Sequence, residues 1–102
     1  MGKLSKLLEV SDPKKVILNA KRYFNDPNIK IYLSPEKNKK YAIINPYTNK
    51  LVSFGQMGYE DYTHHNDEQR RINYLKRASN IKGNWKNDPY SPNNLAQALL
   101  WS

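Results

Sequence analysis

The chain has 102 residues, of which 38% are hydrophobic, no cysteine, and a formal charge of +8. That is room for one domain with a modest core, and the absence of thiols excludes disulfides, thiol catalysis and every zinc site built on thiolates. Lys3, Lys6 and Glu9 interrupt the first leucines and nothing downstream approaches a membrane span, so a non-secreted protein is expected.

The charge is unevenly placed. Residues 1–50 hold 11 Lys and Arg against 4 Asp and Glu, whereas residues 51–102 hold 6 against 5. In the first half every cation but Arg22 is a lysine, a hydrated point charge suited to loose attraction; the second half concentrates arginine, a planar fork suited to fixed pairs. A basic balance of this kind points to an anionic partner, nucleic acid or an acidic membrane surface.

In chain order, Asp12-Pro13 opens a helix as cap and first residue, and Asp26-Pro27 closes it after Phe24. Val16, Ile17, Ala20, Tyr23 and Phe24 make one apolar stripe, with Lys14, Lys15, Lys21 and Arg22 on the opposite side and Leu18 among them, exposed or covered by Leu4, Leu7 and Leu8. Lys14 and Lys15 oppose the helix dipole in the first turn, which suits either an anion site or a solvated lysine pair. Three short runs then have strand character: 29–33, 41–44 and 51–54. The links SPEKNK and NPYTNK read as turns, so an antiparallel meander is expected. Lys37, Lys39 and Lys40 should crowd the first turn. Basic residues interleaved with Tyr32, Tyr41 and Tyr47 suit phosphate contact with base stacking, or the tyrosines are half-buried packing with wet hydroxyls.

Residues 54–77, FGQMGYEDYTHHNDEQRRINYLKR, form the densest segment. Gly55 and Gly58 bracket a sharp turn or close approach, and the pair lacks the strand-GxGxxG-helix context of a nucleotide loop. Asn66 or Asp67 should cap a helix running to about Ser79, with Ile72, Leu75 and Ala78 on one face. Arg71 falls within that arc and needs a carboxylate partner, Asp61, Glu60 or Glu68; the segment then reads as a charge staple. His64 and His65 beside Asp61 and Asp67 contain metal-ligand types, but neighbouring residues point apart and no third histidine or cysteine exists, so no metal and no cofactor are expected. A metal-free phosphodiester site with His65 as base, Asp61 orienting it and Arg70 on phosphate is a weaker alternative, and no catalytic residue is assigned. Trp85 anchors the polar connector 81–92. Ser91-Pro92 start a last helix, apolar on nearly every side, that either closes the core or forms a homodimer interface.

The order Phe54-Gly55, Gly58-Tyr59, Asp61-Tyr62-Thr63, His65, Asp67, Arg70-Arg71, Tyr74 and Arg77, followed by Trp85 and Leu100-Trp101, resembles a family of small basic uncharacterised proteins of the nucleocytoplasmic large DNA viruses. The resemblance covers roughly residues 40–101. It departs at Ala78-Ser79 and Asn93-Asn94, and residues 1–28 have no counterpart. It implies a viral protein of the virion and the host cytoplasm, and it assigns no reaction and no small-molecule substrate. Gly55, Gly58, Tyr59, Asp61, Thr63, His65, Arg71, Tyr74 and Trp85 carry over as signature positions.

The whole reading is a single α+β domain: a helical extension over 1–28, then a three-stranded meander, a charged central helix and an apolar C-terminal helix over 29–102. It binds DNA or RNA non-specifically through Lys14, Lys15, Lys21, Arg22, Lys37, Lys39, Lys40, Arg70 and Arg77. The alternative is a structural or homodimeric virion protein with no nucleic-acid role.

Overall fold

A computed structural model describes residues 2–102 and has the α+β architecture expected from the sequence. Two helices, α1 (Lys3–Leu8) and α2 (Pro13–Tyr23), precede an antiparallel sheet of order β1-β2-β3 made of Tyr32–Leu33, Lys39–Asn45 and Lys50–Gln56. A short helix α3 (Tyr62–His65), the charged helix α4 (Glu68–Ser79), a 3₁₀ turn at Trp85–Asn87 and α5 (Pro92–Leu95) follow, the last running on into a π-helical turn over Ala96–Leu100. Among the described residues no helix is long and apolar enough to cross a membrane.

Helix α2 begins where its chemistry predicts: the Asp12 carboxylate accepts from the Lys14 N–H, and Pro13 takes the first turn. It ends as Asn25 turns left-handed at φ 51°. Asn49 in the β2–β3 turn and Asn66 after α3 do the same at φ 58° and 56°, asparagine being among the few side chains that tolerate this region. Val16 and Ala20 are fully buried, whereas Leu18 is 59% exposed among the basic residues of the outer face.

The core joins both ends of the chain to the sheet. Leu7, Val16 and Ala20 meet Tyr41, Ile43 and Phe54 of β2 and β3, and Leu95, Leu99 and Leu100 close the far side. In the register Tyr41 stands opposite Phe54 and Ile43 opposite Val52, and the Tyr41 and Phe54 rings stack with centroids 5.8 Å apart. The apolar C-terminal segment thus closes the core: Leu95, Leu99 and Leu100 are at most 1% exposed.

Three expectations need correction. The run 29–33 pairs only at Tyr32 and Leu33, because an Asp26-centred turn accepts from the N–H groups of Asn28 and Ile29. Ile29 and Ile31 still pack on the core while Leu33 is 43% exposed. On α4 the inward stripe is Arg71, Tyr74, Leu75 and Ala78, and Ile72 is left 38% exposed. The stripe is displaced because Arg71 and Tyr74 dock on Trp101: the Arg71 Nε–H donates to the Trp101 carbonyl at 2.9 Å, and the Tyr74 and Trp101 rings stack with centroids 4.2 Å apart. Finally, Asn66 ends the unanticipated helix α3, and the Asp67 carboxylate alone caps α4, accepting from Gln69 and Arg70 N–H.

Gly55 sits where the C-terminal segment meets the sheet. Its φ is +83°, and a Cβ there would lie 2.7 Å from Leu100 Cδ1 and 3.3 Å from Lys40 Cβ. Gly55→Ala therefore combines left-handed strain with overpacking and should lower stability by about 1–3 kcal/mol, read as a lower denaturant midpoint; an unchanged midpoint would contradict the packing described.

Candidate nucleic-acid interface

The signature loop is built around a buried ion pair. Lys40 Nζ lies 3.0 Å from Asp61 Oδ2, with side chains 3% and 1% exposed. Lys40 therefore leaves the set of expected surface contacts: it stands in β2, not on the turn, and faces a partner instead of solvent. Burial pulls its ammonium below the ordinary lysine range, with Asp61 opposing that pull. Asp61 also accepts from the Thr63 N–H at 3.1 Å and from the Thr63 hydroxyl, so it caps α3. The Thr63 hydroxyl oxygen accepts from the Asp12 N–H at 2.9 Å and contacts the Ser11 hydroxyl at 3.3 Å. Ser11 in turn meets the Tyr41 hydroxyl at 2.6 Å. Burial raises the Tyr41 phenol well above its ordinary value, so it stays neutral. With the Asp61 N–H donating to the Val10 carbonyl at 3.0 Å, the network ties the α1–α2 junction, β2 and the signature loop into one unit.

Arg71 pairs with Glu68, one of its three expected partners, at 2.9 Å, and its guanidinium lies over the Tyr62 ring at 5.5 Å. Asp61, another of the three, is taken by Lys40. Glu60 holds His64 at 2.7 Å and, more loosely, Arg70 at 3.5 Å; its hydrogen bond with His64, with help from Arg70, keeps the carboxyl below its usual range.

His65 is arranged for packing. Its ring lies near Tyr62 and Trp101, with centroids 6.1 and 5.2 Å away, and its Nδ1 accepts from the Asp67 N–H at 2.9 Å. That bond leaves Nε2 as the protonated nitrogen, and Nε2 is buried without a partner. Asp61 does not orient it, being engaged by Lys40 and Thr63. The base, orienter and phosphate arrangement considered for His65, Asp61 and Arg70 is therefore not assembled. No three of the described His, Asp and Glu side chains converge as a metal site.

The remaining predicted residues fall into three places. On α2, Lys14, Lys15, Lys21 and Arg22 are exposed; Lys15 donates to the Asn66 side chain at 3.1 Å, and Lys15 and Arg22 border a cavity of about 200 Å³. At the β1–β2 turn, exposed Lys37 lines a cavity of about 310 Å³ with Lys3 and Lys6, while Lys39 is half-buried in β2. Lys3 is a contact the sequence reading did not single out: its ammonium donates to the Ser34 and Glu36 carbonyls at 2.6 Å each, pinning α1 to that turn.

The third place is a cleft of about 350 Å³ between α4 and the β3–α3 loop. Arg70 and Arg77 border it from the helix, and Gly55 and Tyr59 from the sheet side, with Tyr74, Leu100 and Trp101 also lining it. Gly58, in the same loop, has φ +94°. Trp85 lies outside this cleft; its indole N–H donates to the Ile81 carbonyl at 2.7 Å, and its own carbonyl accepts from Asn94 at 2.7 Å. Asn94 is a second contact missed at the sequence level, and so is Asn19, whose buried amide donates to the Leu99 carbonyl at 2.9 Å. Short polar side chains that bind backbone leave no periodic signal.

Lys40→Met leaves Asp61 buried without its cation and should cost about 3–5 kcal/mol in denaturant unfolding; a loss within surface-substitution range would deny the pair its role. Burial, followed by the nearby Arg70, lowers the His65 pKa from 6.5. Below pH 6.5 the unfolded chain therefore takes up this proton before the folded one, so the His65 contribution to stability is fully present above that pH and is lost as the pH falls. An NMR titration should place the His65 midpoint below 6.5, and a midpoint at or above it would mean the ring is open to water.

Comparison with the curated proteins and with the solved structures gave no match. Residues 29–78, which hold the sheet, the signature loop and nearly all of α4, match DUF5754, a family of unknown function.

Proposed function

We propose that this is a small basic protein that binds nucleic acid without sequence preference through its lysine-rich surface. The observation that carries the reading is the pattern of unpaired cations. Among the described residues, Lys40, Arg70 and Arg71 are the only lysines and arginines in ion pairs, although the chain has 17 such residues. Lys14, Lys15, Lys21 and Arg22 project together from α2 with no carboxylate bonded to them, and Lys6 and Lys37 add to the surplus at the β1–β2 turn. Such a surface releases counterions from a phosphate backbone on binding, which favours association without reading bases. Its lysines attract without fixing geometry.

The viral setting belongs to the same proposal. The resemblance of the signature to proteins of large DNA viruses supports packaging in the virion and action in the host cytoplasm. A purely structural role through a C-terminal dimer has less support, because Leu95, Ala96, Leu99 and Leu100 of that segment are buried within the protomer.

Labelled duplex and single-stranded DNA titrated across a salt series test the reading. Affinity should fall steeply with salt, with a slope corresponding to about five or more neutralised phosphates. Replacing Lys14, Lys15, Lys21 and Arg22 together by Gln should leave the melting temperature nearly unchanged and reduce the duplex slope by about 3–4. No binding at low salt would overturn the proposal.

A further inference from the structure

We propose that the cleft between α4 and the β3–α3 loop seats one unstacked nucleotide of a single-stranded nucleic acid, with Arg77 and Arg70 on the phosphodiester and Tyr59 on the base. This inference rests on the nucleic-acid reading and gives it a preference for strand state that the lysines of α2 cannot supply.

The size of the cleft is the first argument. A volume of about 350 Å³ lies in the range of small-ligand sites. A nucleobase can enter such a space, walled by a helix on one side and a loop on the other, only when it is unpaired and turned out of its stack.

The lining supplies the second. Arg70, Asn73 and Arg77 recur at i, i+3 and i+7, so all three reach the cleft from one face of α4, and the arginines stand about 10 Å apart along the helix axis. Arg77 has no ion-pair partner among the described residues, and the bond from Arg70 to Glu60 is long, at 3.5 Å, and exposed; a phosphate oxygen would form a shorter, charge-assisted bond in its place. The Asn73 carbonyl accepts from Gln69 at 3.1 Å, which leaves its amide N–H groups to donate into the cleft.

The third argument is Tyr59. It is 69% exposed at the cleft, a large ring with little to pack on, and base–aromatic stacking would cover it. Tyr74 and Trp101, stacked on each other, line the same cleft, and Leu100 fills the space that Gly55 leaves open. Lys40 is neutralised by Asp61, so Arg77 and Arg70 are left to meet the single charge of the diester, with Glu60 close to Arg70. A doubly charged terminal phosphate would be disfavoured beside Glu60.

The test compares a labelled oligo-dT with a duplex of equal length by fluorescence anisotropy, using wild type, Tyr59→Ala/Arg77→Gln, and the α2 variant in which Lys14, Lys15, Lys21 and Arg22 become Gln. Both replaced cleft residues are exposed, so the cleft variant should fold, as a melting curve would verify. It should lose about tenfold or more on the single strand with little change on the duplex, while the α2 variant weakens on both. The dinucleotide thymidylyl-(3′→5′)-thymidine, whose only phosphate is a singly charged diester, followed through the Trp101 indole N–H resonance gives a second readout: a saturable shift in wild type that disappears in the cleft variant is expected. Equal losses on both DNA forms, or an unchanged single-strand affinity, would overturn the cleft assignment while leaving charge-driven binding intact. No binding of either DNA by wild type together with an unmoved Trp101 resonance would end both readings, whereas a shift without polymer binding would retain the nucleotide site and reject only the polymer.

Discussion

The Lys40–Asp61 pair is the constraint on which the rest of the fold depends. Two opposite charges placed almost out of water are unfavourable unless their remaining hydrogen-bonding capacity is met. Here it is met in part by Thr63, and Thr63 in turn carries Asp12 and Ser11. The pair therefore does more than join a strand to a loop: it sets where the α1–α2 junction lies, which aims α2 and its cationic face outward, and it fixes the start of α3, from which α4 departs. Replacing the pair by apolar side chains of similar size could match its energy, but nothing in such a pair would hold the Thr63 backbone at the helix start.

The parts of the fold legible in the sequence are those with local chemistry. Asp12-Pro13 and Asp67 start helices through their own carboxylates, and the asparagine-containing turns delimit the meander. The parts that were not legible depend on contacts distant in the chain. Lys40 follows Lys37 and Lys39, so it reads as one more surface lysine; only the fold brings Asp61 to it. Likewise Ile72 looks like a core residue by periodicity, and Arg71 displaces it because the Trp101 carbonyl and ring wait on that side. The sequence argument that a charge on an apolar face must be paired was sound for Arg71 and applied with more force to Lys40, where alternation along β2 could have raised it. For the cleft, the sequence named Arg70, Arg77 and Tyr59 individually, without a signal that the C-terminal Leu100 and Trp101 would line it with them.

The boundaries of the DUF5754 match give this arrangement a further meaning. Residues 29–78 contain Lys40, Asp61 and Thr63, the two strands of the main hairpin, and Arg70 and Arg77. They lack Leu7, Val16, Ala20, Leu95 and Leu99, the residues that cover the Tyr41 and Phe54 rings. The matched segment thus holds the buried ion pair and three of the eleven buried core residues, Tyr41, Ile43 and Phe54, and the other eight come from chain on either side. The α2 lysines lie outside the match, whereas the cleft arginines lie within it, so the two cationic regions differ in what they share with that family.

The bond from Asn19 to the Leu99 carbonyl spans 80 positions in the chain, and α2 rests against the segment that carries Leu99. Closing a loop of that length carries an entropic cost of about 4 kcal/mol before any contact repays it. The β2–β3 hairpin, by contrast, closes through the short turn between Asn45 and Lys50. The hairpin is a local contact, while α2 and the C-terminal segment meet across nearly the whole length of the chain, the kind of pairing that slows folding. The Phe54 and Tyr41 rings share their core with side chains from both ends of the chain, so their full enclosure requires that long-range meeting.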